Sequence, residues 1–337
     1  MTNLSTPQPA KLVAVVTPVY NGARHLEDTI KAVQAQTYRP LVHCIVDNAS
    51  TDATPEIIAR YAQADVPIIT IRNPETVTFQ ENSNKAVELA PAEATHFRIL
   101  HADDRMPPTA IADMMEIASQ SDDIVLVAGA ERMNDVDRPH NFPPECSIYE
   151  ASNMLARILS DEAHIPTAHV LVRRDAIRPG EPWYPTDIVE CYIHTAWRTL
   201  SRGGKAGFVH RYNGDTRRYS GSGSLIDTFA PTVKAVLWEK LLFIEWWGPA
   251  SLSNTEYKRV LLRFLRVYGR RLLFWGATGQ MKTAARDYKR LAERGHRLSP
   301  WDFIMSVAVW PYYLYAKRYG KPQAPQPWPK DATRSTD

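Results

Sequence analysis

Short apolar runs alternate with segments of helical spacing along the first hundred residues of the chain. Residues 12–16 form an apolar run that ends in a polar loop, after which residues 25–36 place apolar side chains at the spacing of a helix. The pattern continues, with apolar runs at 42–46, 67–71 and 97–100 and helical spacing at 54–61 and 82–89. This alternation predicts an α/β fold with a mostly parallel sheet and right-handed crossovers. The loops after the first, second and fourth strands should then lie together at one edge.

The fourth predicted strand ends in two adjacent carboxylates, Asp103 and Asp104, and two prolines follow at positions 107 and 108. Open α/β sheets place ligands at the carboxyl ends of their strands. Hard cations such as Mg²⁺ share one or two carboxylates with the phosphates of a bound substrate. Aspartate is also a common helix N-cap, and the segment after the prolines has helical spacing. The two interpretations are compatible, since one carboxylate can bind a metal while the other caps a helix.

The composition is that of a globular protein. The chain has 337 residues, of which 44% are hydrophobic and 23% charged, which leaves room for one large domain and an appendage. Its three cysteines are far apart and form no metal-like cluster, which favours a reducing cytosolic compartment. Residues 1–10 lack the basic start and the apolar core of a signal peptide, and we expect a short disordered lead there.

The net charge of +3 conceals an asymmetry between the two parts of the chain. Residues 256–337 contain 17 Lys and Arg against 6 Asp and Glu, a net +11, so residues 1–255 carry −8. The two parts therefore meet different partners, or each other.

The loop after the second predicted strand carries Asp47 and Asp52 on either side of a Ser/Thr-rich turn. This is weak evidence by itself, because Asx turns and helix N-caps use the same residues. A bound nucleoside nonetheless needs a carboxylate for a base edge or a ribose hydroxyl at such a strand end.

Four motifs together resemble those of the inverting nucleotide-sugar glycosyltransferases of family 2, in the same order and with similar spacing. They are Thr17-Pro18-Val19-Tyr20-Asn21, Gln36-Thr37-Tyr38, Val46-Asp47-Asn48-Ala49-Ser50-Thr51-Asp52, and Leu100-His101-Ala102-Asp103-Asp104 with Pro107 after it. The resemblance covers residues 11–225 and implies the GT-A fold, a single α/β domain with a nucleotide half and an acceptor half.

Carried over position by position, the resemblance implies a donor-binding set. Pro18, Tyr20 and Asn21 would line the nucleotide pocket, and Asp47 would face the uracil or other base. Asn84 belongs to an Asn-rich segment that precedes the acidic motif in one bacterial branch of the family, and we include it among the donor-binding residues.

The resemblance also implies a metal site. Asp103 matches the last carboxylate of the family's D-x-D motif, and would bind the Mn²⁺ or Mg²⁺ that bridges the two phosphates of the donor. His101 replaces the first carboxylate of that motif. A neutral imidazole can still bind Mn²⁺ or reach the ribose, but it supplies no negative charge, so we expect a weaker or pH-dependent metal affinity.

In the family a carboxylate near the start of a late helix acts as general base on the acceptor hydroxyl. We predict a helix through residues 196–200, and both Asp187 and Glu190 lie just before it. Asp187 suits the N-cap, and Glu190 suits the capping-box position three residues later. Spacing leaves both open, and we place Glu190 first because its longer side chain can reach a substrate from a rigid helix.

Predictions for the second half of the domain rest on weaker patterns. Residues 124–129 and 165–174 are predicted strands, the latter resembling the family's acceptor-side strand that ends in basic residues. Residues 210–224 are rich in Gly and Ser and include Arg217 and Arg218, which predicts a mobile loop whose arginines clamp the donor phosphates. A solvated linker that happens to be basic is the alternative.

The C-terminal part, residues 226–321, interleaves basic and aromatic residues at helical spacing, while residues 322–337 form a Pro-rich tail that we expect to be disordered. Arg263, Arg266, Arg270 and Arg271 lie among Leu, Phe and Trp, and Trp310, Tyr312 and Tyr313 precede Lys317 and Arg318. No uncharged run is long enough for a membrane span. Basic amphipathic helices of this kind fit an anionic lipid surface. Packing of these helices on the acidic catalytic domain is the alternative.

The resemblance implies a metal-dependent inverting glycosyltransferase that uses a UDP-, GDP- or dTDP-linked sugar. Its acceptor would be a saccharide or lipid-linked saccharide hydroxyl at the inner face of the cytoplasmic membrane, in bacterial surface-polysaccharide biosynthesis. A catalytically silent nucleotide- or sugar-binding module of the same fold is the alternative. The basic C-terminal part permits nucleic-acid binding on charge alone. No nucleic-acid motif accompanies that charge, so we expect no nucleic-acid partner.

Overall fold

A computed structural model describes residues 11–217, 232–308 and 311 of the chain. The strands are β1 (Val13–Val19), β2 (Leu41–Asp47), β3 (Ile68–Arg72), β4 (His96–Ile99), β5 (Ile124–Met133), β6 (Val136–Asp137), β7 (Ile148–Glu150), β8 (Leu171–Arg173) and β9 (Lys205–Thr216). The helices are α1 (Leu26–Gln34), α2 (Thr54–Arg60), α3 (Phe79–Glu88), α4 (Ala110–Ala118), α5 (Ala151–Leu159), α6 (Cys191–Ser201), α7 (Thr232–Ser251), α8 (Asn254–Ala277), α9 (Met281–Glu293) and α10 (Pro300–Ala308).

The described strands form one sheet in the order β3-β2-β1-β4-β8-β5-β9-β7, with β6 paired to β5. The first four in this order are parallel, and β1 lies between β2 and β4. This confirms the prediction that the loops after the first, second and fourth strands are neighbours. Beyond β4 the sheet is mixed, since β8 runs antiparallel to both β4 and β5 while β9 runs parallel to β5.

Helices cover both faces of the parallel strands. Every residue of β1 and β2 is buried, which explains why these strands are continuous apolar runs rather than alternating ones. Val13 and Val15 of β1 join the core formed with α4, whereas Ala14 and Val16 join the larger core on the opposite face. The sheet edge at the carboxyl end of β1 is therefore held rigidly from two sides.

The C-terminal helices continue the core on the second face. Helix α7 packs on α5 and α6, α8 packs on α7, and both α9 and α10 pack on α8. Leu241, Phe243 and Tyr268 are buried in the same cluster as the sheet residues. None of the helices in the described part of the chain combines the length and apolar character that a membrane span requires. The predicted domain boundary at residue 225, the lead at 1–10 and the tail at 322–337 lie outside the described residues and stay predictions.

Two predicted boundaries are wrong for local reasons. Helix α3 begins at Phe79, three residues before the predicted start, because Thr78 and Glu81 form a capping box around it. The predicted strand at 165–174 is a strand only over Leu171–Arg173. Its first half turns instead, with the N–H of His169 donating to the carbonyl of Pro166 at 3.0 Å.

Candidate active site

A cavity of about 790 Å³ opens at the carboxyl ends of β1 and β4. We divide the lining by its place in the chain: the loops after β1, β2 and β4 make up the first wall, and the β5–β6 hairpin, the turn before β8 and the start of α6 make up the second wall. The lining includes Pro18, Tyr20, Asn21, Asn48, His101, Asp103, Glu131, Arg138, His164, Glu190, Tyr192 and Arg217. Of the residues predicted to act in donor binding or catalysis, the structure brings seven together here: Pro18, Tyr20, Asn21, His101, Asp103, Glu190 and Arg217.

The loops after β1 and β2 are bound to each other by hydrogen bonds between backbone and side chains. The N–H of Asn21 donates to Ser50 Oγ at 2.9 Å, and Asn21 Oδ1 accepts from the N–H of Thr51 at 2.8 Å. The next two N–H groups, of Gly22 and Ala23, donate to Thr54 Oγ1 and Asp52 Oδ2, each at 2.9 Å. The Ser/Thr-rich motif therefore builds the pocket wall.

Asp52 serves this wall rather than a ligand. Its Oδ1 accepts from the N–H of Thr54 at 3.0 Å and from the Thr54 hydroxyl at 2.6 Å. Although partial burial raises the pKa of Asp52, the hydrogen bonds from Thr54 and from the N–H of Ala23 outweigh it and lower that pKa below its ordinary value. The carboxylate is thus kept ionised as part of the loop.

Asp47 and Asn84 lie outside the cavity lining, although both were predicted to bind the donor. Asp47 is only 2% exposed, accepts from the N–H of Ser50 at 3.0 Å, and pairs with Arg72 at 3.0 Å. Asn84 is buried in α3, where its side chain donates to the carbonyl of Tyr184 and accepts from the N–H of the same residue, both at 2.8 Å. In this structure both side chains hold neighbouring segments together, and their roles toward a donor stay predictions.

The acidic loop takes part in a hydrogen-bonded chain of three side chains, of which Asp104 is buried while His101 and Tyr192 are partly exposed. His101 Nδ1 lies 3.1 Å from Asp104 Oδ2, and His101 Nε2 lies 3.1 Å from the hydroxyl of Tyr192 in α6. Burial alone lowers the pKa of His101, but the hydrogen bond to Asp104 and the charges of Asp104 and Asp103 outweigh burial and raise it. The chain links the loop after β4 to the helix that follows Glu190.

A buried arginine lies beneath this chain. Arg98 of β4 is fully buried, and its guanidinium donates to Asn213 Oδ1 at 2.6 Å and to the carbonyl of Asn213 at 2.8 Å. Burial lowers the pKa of Arg98 to about 10, which still leaves it charged at neutral pH. The acidic loop therefore sits above a fixed positive charge.

Asp103 and Asp104 both line the cavity, but Asp104 is only 2% exposed and is paired with His101, so Asp103 is the carboxylate of this loop that we expect to meet a ligand. Within residues 11–217, 232–308 and 311, no three His, Cys, Asp or Glu side chains form a cluster that could hold a metal ion by themselves. A single carboxylate still fits a divalent cation whose remaining ligands are phosphate oxygens and water. Both ring nitrogens of His101 already have partners, so the prediction that it binds the metal requires Tyr192 to release Nε2.

The structure distinguishes the two candidate bases by their position. Glu190 lines the cavity, whereas Asp187 is exposed and lies outside the lining. The predicted N-cap at Asp187 is wrong, because α6 begins at Cys191 with Glu190 as its N-cap residue, and the Glu190 side chain makes no capping hydrogen bond. Instead the N–H groups of Val189 and Glu190 donate to the carboxylate of Glu239 in α7.

Arg217 lines the cavity at the end of β9, and Arg218 lies outside the described residues. The Arg217 guanidinium contacts His25 Nδ1 at 2.7 Å and Asp28 Oδ2 at 3.1 Å, both at the start of α1. Burial, followed by the charges of Arg217 and Arg24, lowers the pKa of His25. Arg217 is thus already oriented along the pocket wall by α1.

Residues of the second wall were missed at the level of the sequence. Glu131 and His164 approach each other to 3.6 Å, and Arg138 lies beside them in the lining. They come from β5, from the residues after β6 and from the segment before β8, and no local motif marks them. Tyr192 and Glu239 were missed for the same reason, because their partners are distant in sequence.

The parallel sheet edge, the hydrogen-bonded loops and the strand-end carboxylate are features of an α/β domain that binds its ligand at the carboxyl ends of its strands. Residues 14–179 match the family model described as Glycosyl transferase family 2, and through this segment the chain belongs to that family. Glu190 and Arg217 lie beyond the matched segment.

Two comparisons describe the relatives. A Bacillus subtilis protein named as a teichuronic acid biosynthesis glycosyltransferase, TuaG, is 32% identical over 109 residues, which are 31% of this chain and 41% of that protein. The glycosyltransferase GlyG of Streptococcus pneumoniae is 24% identical over 133 residues, 38% of this chain and 42% of its own. The chain thus spans less than half the length of these relatives.

Solved structures share the fold at low identity. S. aureus TarS 1–349 in complex with UDP-GlcNAc superposes with a TM-score of 0.61 at 14% identity, covering 76% of this chain and 72% of that one. The mannosyltransferase PcManGT from Pyrobaculum calidifontis, in complex with GDP-Man and Mn²⁺, superposes with a TM-score of 0.53 at 18% identity, covering 94% and 89%. These similarities confirm the predicted fold, a GT-A-like α/β domain followed by C-terminal helices.

Proposed function

We propose that the protein is an inverting glycosyltransferase that moves a sugar from a nucleoside-diphosphate sugar to an acceptor hydroxyl. The observation that carries the proposal is the meeting of Asp103 and Glu190 in one cavity of a family 2 fold. One carboxylate lies at the strand end where a diphosphate would bind, and the other lies in the second wall, at the start of α6. A single displacement needs no more ionisable groups than these.

In the proposed reaction, Glu190 accepts the proton of the acceptor hydroxyl while the oxygen attacks the anomeric carbon. The bond between that carbon and the diphosphate breaks, the configuration inverts, and the electron pair leaves with the nucleoside diphosphate. Arg217, already oriented by His25 and Asp28, lies where it can meet the negative charge of the leaving group. Asp187 would be the base only if the segment before α6 rearranged.

Asp103 would hold the divalent cation, with the diphosphate oxygens supplying further ligands. A bound Mn²⁺ or Mg²⁺ supplies charge neutralisation at the leaving diphosphate. The Mn²⁺ in the PcManGT complex supports this choice of cofactor. Within the loop, Asp104 and His101 orient the backbone that carries Asp103.

The donor is proposed to be a UDP-, GDP- or dTDP-linked sugar. The UDP-GlcNAc and GDP-Man complexes of the structural neighbours support this class. We place the reaction in the biosynthesis of a surface polysaccharide, on the support of the relative named for teichuronic acid biosynthesis. The acceptor is then a saccharide or a lipid-linked saccharide.

Contact with the inner face of the cytoplasmic membrane is proposed for the C-terminal helices. Phe274, Trp301 and Ile304 are more than half exposed, and Arg271 is exposed near the end of α8. Arg263 and Arg270 instead bond Asp161 and the carbonyl of Ser306 within the protein, which supports the packing role as well. Between residues 310 and 318 only Pro311 is described. The aromatic and basic residues of that stretch therefore lie outside the described residues.

Vesicle flotation tests the membrane contact. Each basic residue near an anionic surface contributes about 1 kcal/mol before screening, so attachment should be seen at low salt and weaken at high salt. Protein that stays unbound from anionic vesicles at low salt would show that these helices only pack on the catalytic domain.

A donor screen tests the transferase assignment. Nucleotide sugars that bind the folded protein should raise its melting temperature in the presence of Mn²⁺ or Mg²⁺. The stabilising donor should then be consumed, with release of its nucleoside diphosphate. Stabilisation without turnover against a panel of acceptors would favour the silent binding module, and no stabilisation by any donor would contradict both.

A further inference from the structure

The carboxylate of Glu239, in the C-terminal helix α7, binds the backbone beside Glu190. Its Oε1 accepts from the N–H of Val189 at 2.9 Å, and its Oε2 accepts from the N–H of Glu190 at 2.8 Å. In a capping box, a Glu inside the helix accepts from the N-cap N–H. Here a different helix provides that carboxylate, so the start of α6 depends on α7.

Using a buried carboxylate to begin a helix is unfavourable, because the charged group loses its hydration. Glu239 is 7% exposed, and none of the ion pairs among the described residues involves it. Burial, opposed by the two backbone N–H groups, raises its pKa. An uncompensated buried carboxylate is strongly disfavoured unless it is hydrogen-bonded. The two N–H groups it accepts from therefore account for its presence at this place.

The segment that contains Glu190 is held from several sides. Gln80 of α3 donates to the carbonyl of Ile188 at 3.2 Å, and the hydroxyl of Tyr192 contacts His101 at 3.1 Å. Glu239 binds between these two points, at the residue that lines the cavity. Removing its acceptor oxygens would leave the half-buried N–H groups of Val189 and Glu190 unsatisfied. These N–H groups belong to the backbone that sets the direction of the Glu190 side chain.

We propose that Glu239 is a positioning residue, which fixes the backbone of Glu190 so that its carboxylate points at the acceptor hydroxyl. This inference rests on the proposed role of Glu190 as base. It makes the C-terminal helices part of the catalytic apparatus, because α7 contributes a group that the catalytic domain lacks at this point.

Two variants of Glu239 test the proposal. Glu239→Gln keeps the shape of the side chain but replaces one acceptor oxygen by an NH₂ group. Glu239→Asp keeps the charge, but its shorter side chain moves the carboxylate away from the two N–H groups. Displacement of a catalytic group by about 1 Å can lower a rate about 10²-fold. We expect both variants to lower kcat by that order, measured as release of nucleoside diphosphate, while the donor KM and the Kd of the nucleoside diphosphate stay unchanged.

Glu245→Gln is the matched control on the same helix. Glu245 pairs with Arg294 and His296 and lies away from the start of α6. Its loss should lower the melting temperature without changing kcat. If the Glu239 variants behave like Glu245→Gln, with reduced stability and unchanged kcat per folded molecule, the proposal is wrong and Glu239 is only structural.

A double-variant cycle decides whether Glu239 acts through Glu190. In a Glu190→Gln background, Glu239→Gln should cause no further loss of kcat, because the group it positions is already gone. A further loss of the full size would show that Glu239 acts elsewhere. If Glu190→Gln alone leaves transfer unchanged, the proposed base is wrong as well, whereas a slow Glu190→Gln enzyme with a normal Glu239→Gln enzyme contradicts this inference alone.

Discussion

The two walls of the cavity are built in different ways. The first wall consists of loops that follow parallel strands, and its groups are positioned mainly by residues of the same or the neighbouring loop, as Asn21 is by Ser50 and Thr51. The second wall depends on residues that are distant in sequence, as when Glu239 binds the N–H of Glu190 from 49 residues away.

This difference has a functional meaning. Because the loops of the first wall are hydrogen-bonded to each other, this wall stays formed when the rest of the molecule moves. Such a wall suits the binding of a common donor. The second wall contains Glu190, the proposed general base, and the backbone there is bound by a C-terminal helix, so we expect this wall to respond to the contacts of that helix. We therefore expect substitutions in the first wall to change binding, and substitutions in the second to change the rate.

The largest effect should come from the second wall. Glu190→Gln should lower transfer by about 10²–10⁴-fold, as removal of a general base does, and should leave donor binding intact. Steady-state rates and calorimetric titration with the nucleoside diphosphate measure the two properties. Asp187→Asn is the control and should stay near the parent rate, while the reverse pattern would exchange the roles of the two carboxylates.

Substitution in the first wall should change ligand binding instead of the rate. Asp103→Asn should leave the fold intact and make binding of the nucleoside diphosphate independent of Mn²⁺, with a loss of about 1.5–3 kcal/mol typical of a charged interaction. Calorimetry with and without the metal measures it. Asp122→Asn, which breaks only a surface pair with Lys11, controls for a general loss of charge. A Mn²⁺ dependence that survives in Asp103→Asn would remove this residue from the metal site.

The stability of the parallel sheet that carries the first wall can be tested by pH. His43 is buried in β2, its Nε2 lies 2.8 Å from the hydroxyl oxygen of Thr17 in β1, and burial lowers its pKa to about 3. Because the folded pKa is below the unfolded value near 6.5, this contribution to stability is complete above pH 6.5 and is lost as the pH falls toward 3. The loss is about 1.4 kcal/mol per pH unit. Urea unfolding between pH 7 and 5 should therefore give a flatter curve for His43→Gln, whereas parallel curves would contradict the assignment.

The smallest effect concerns the hydrogen bond between Tyr192 and His101, which links the two walls. Tyr192→Phe removes the hydroxyl that contacts His101, and one hydrogen bond contributes about 0.5–1.5 kcal/mol to the free energy of unfolding. Because the link spans both walls, we expect a modest fall in kcat with this loss. Tyr288→Phe, which removes a hydroxyl bond to the carbonyl of Leu298 among the C-terminal helices, should lose similar stability at an unchanged rate. Equal rates in both variants would show that the link is not used in catalysis.

The sequence predicts the first wall better than the second. Strands β1, β2 and β4 are buried apolar runs with polar loops at their ends, so periodicity finds both the strand and the loop that carries Asp103. The capping box of α3 is also visible in the sequence as Thr78 followed three residues later by Glu81, ahead of the Asn-rich stretch that begins at Asn82.

The second wall depends on contacts that no local pattern records. An N-cap at Asp187 was a sound local prediction, yet the N–H groups before α6 find their acceptor in Glu239, and the helix starts later. The sequence predicts His101 as a replacement metal ligand, a role that stays a prediction, and the structure adds that its two ring nitrogens meet Asp104 and Tyr192. Both observations rest on tertiary hydrogen bonds.

The hydrogen bonds between the loops after β1 and β2 also have a consequence for conformational entropy. Asn21 and Ala49 hold positive φ angles of 48° and 56°, conformations that a free loop would rarely adopt, and hydrogen bonds keep Asn21 in place. Ordering a flexible side chain on binding opposes association by about 0.5–1.5 kcal/mol. A loop that folding has already ordered is spared that loss. A ligand that enters this pocket would meet a surface that folding has already formed.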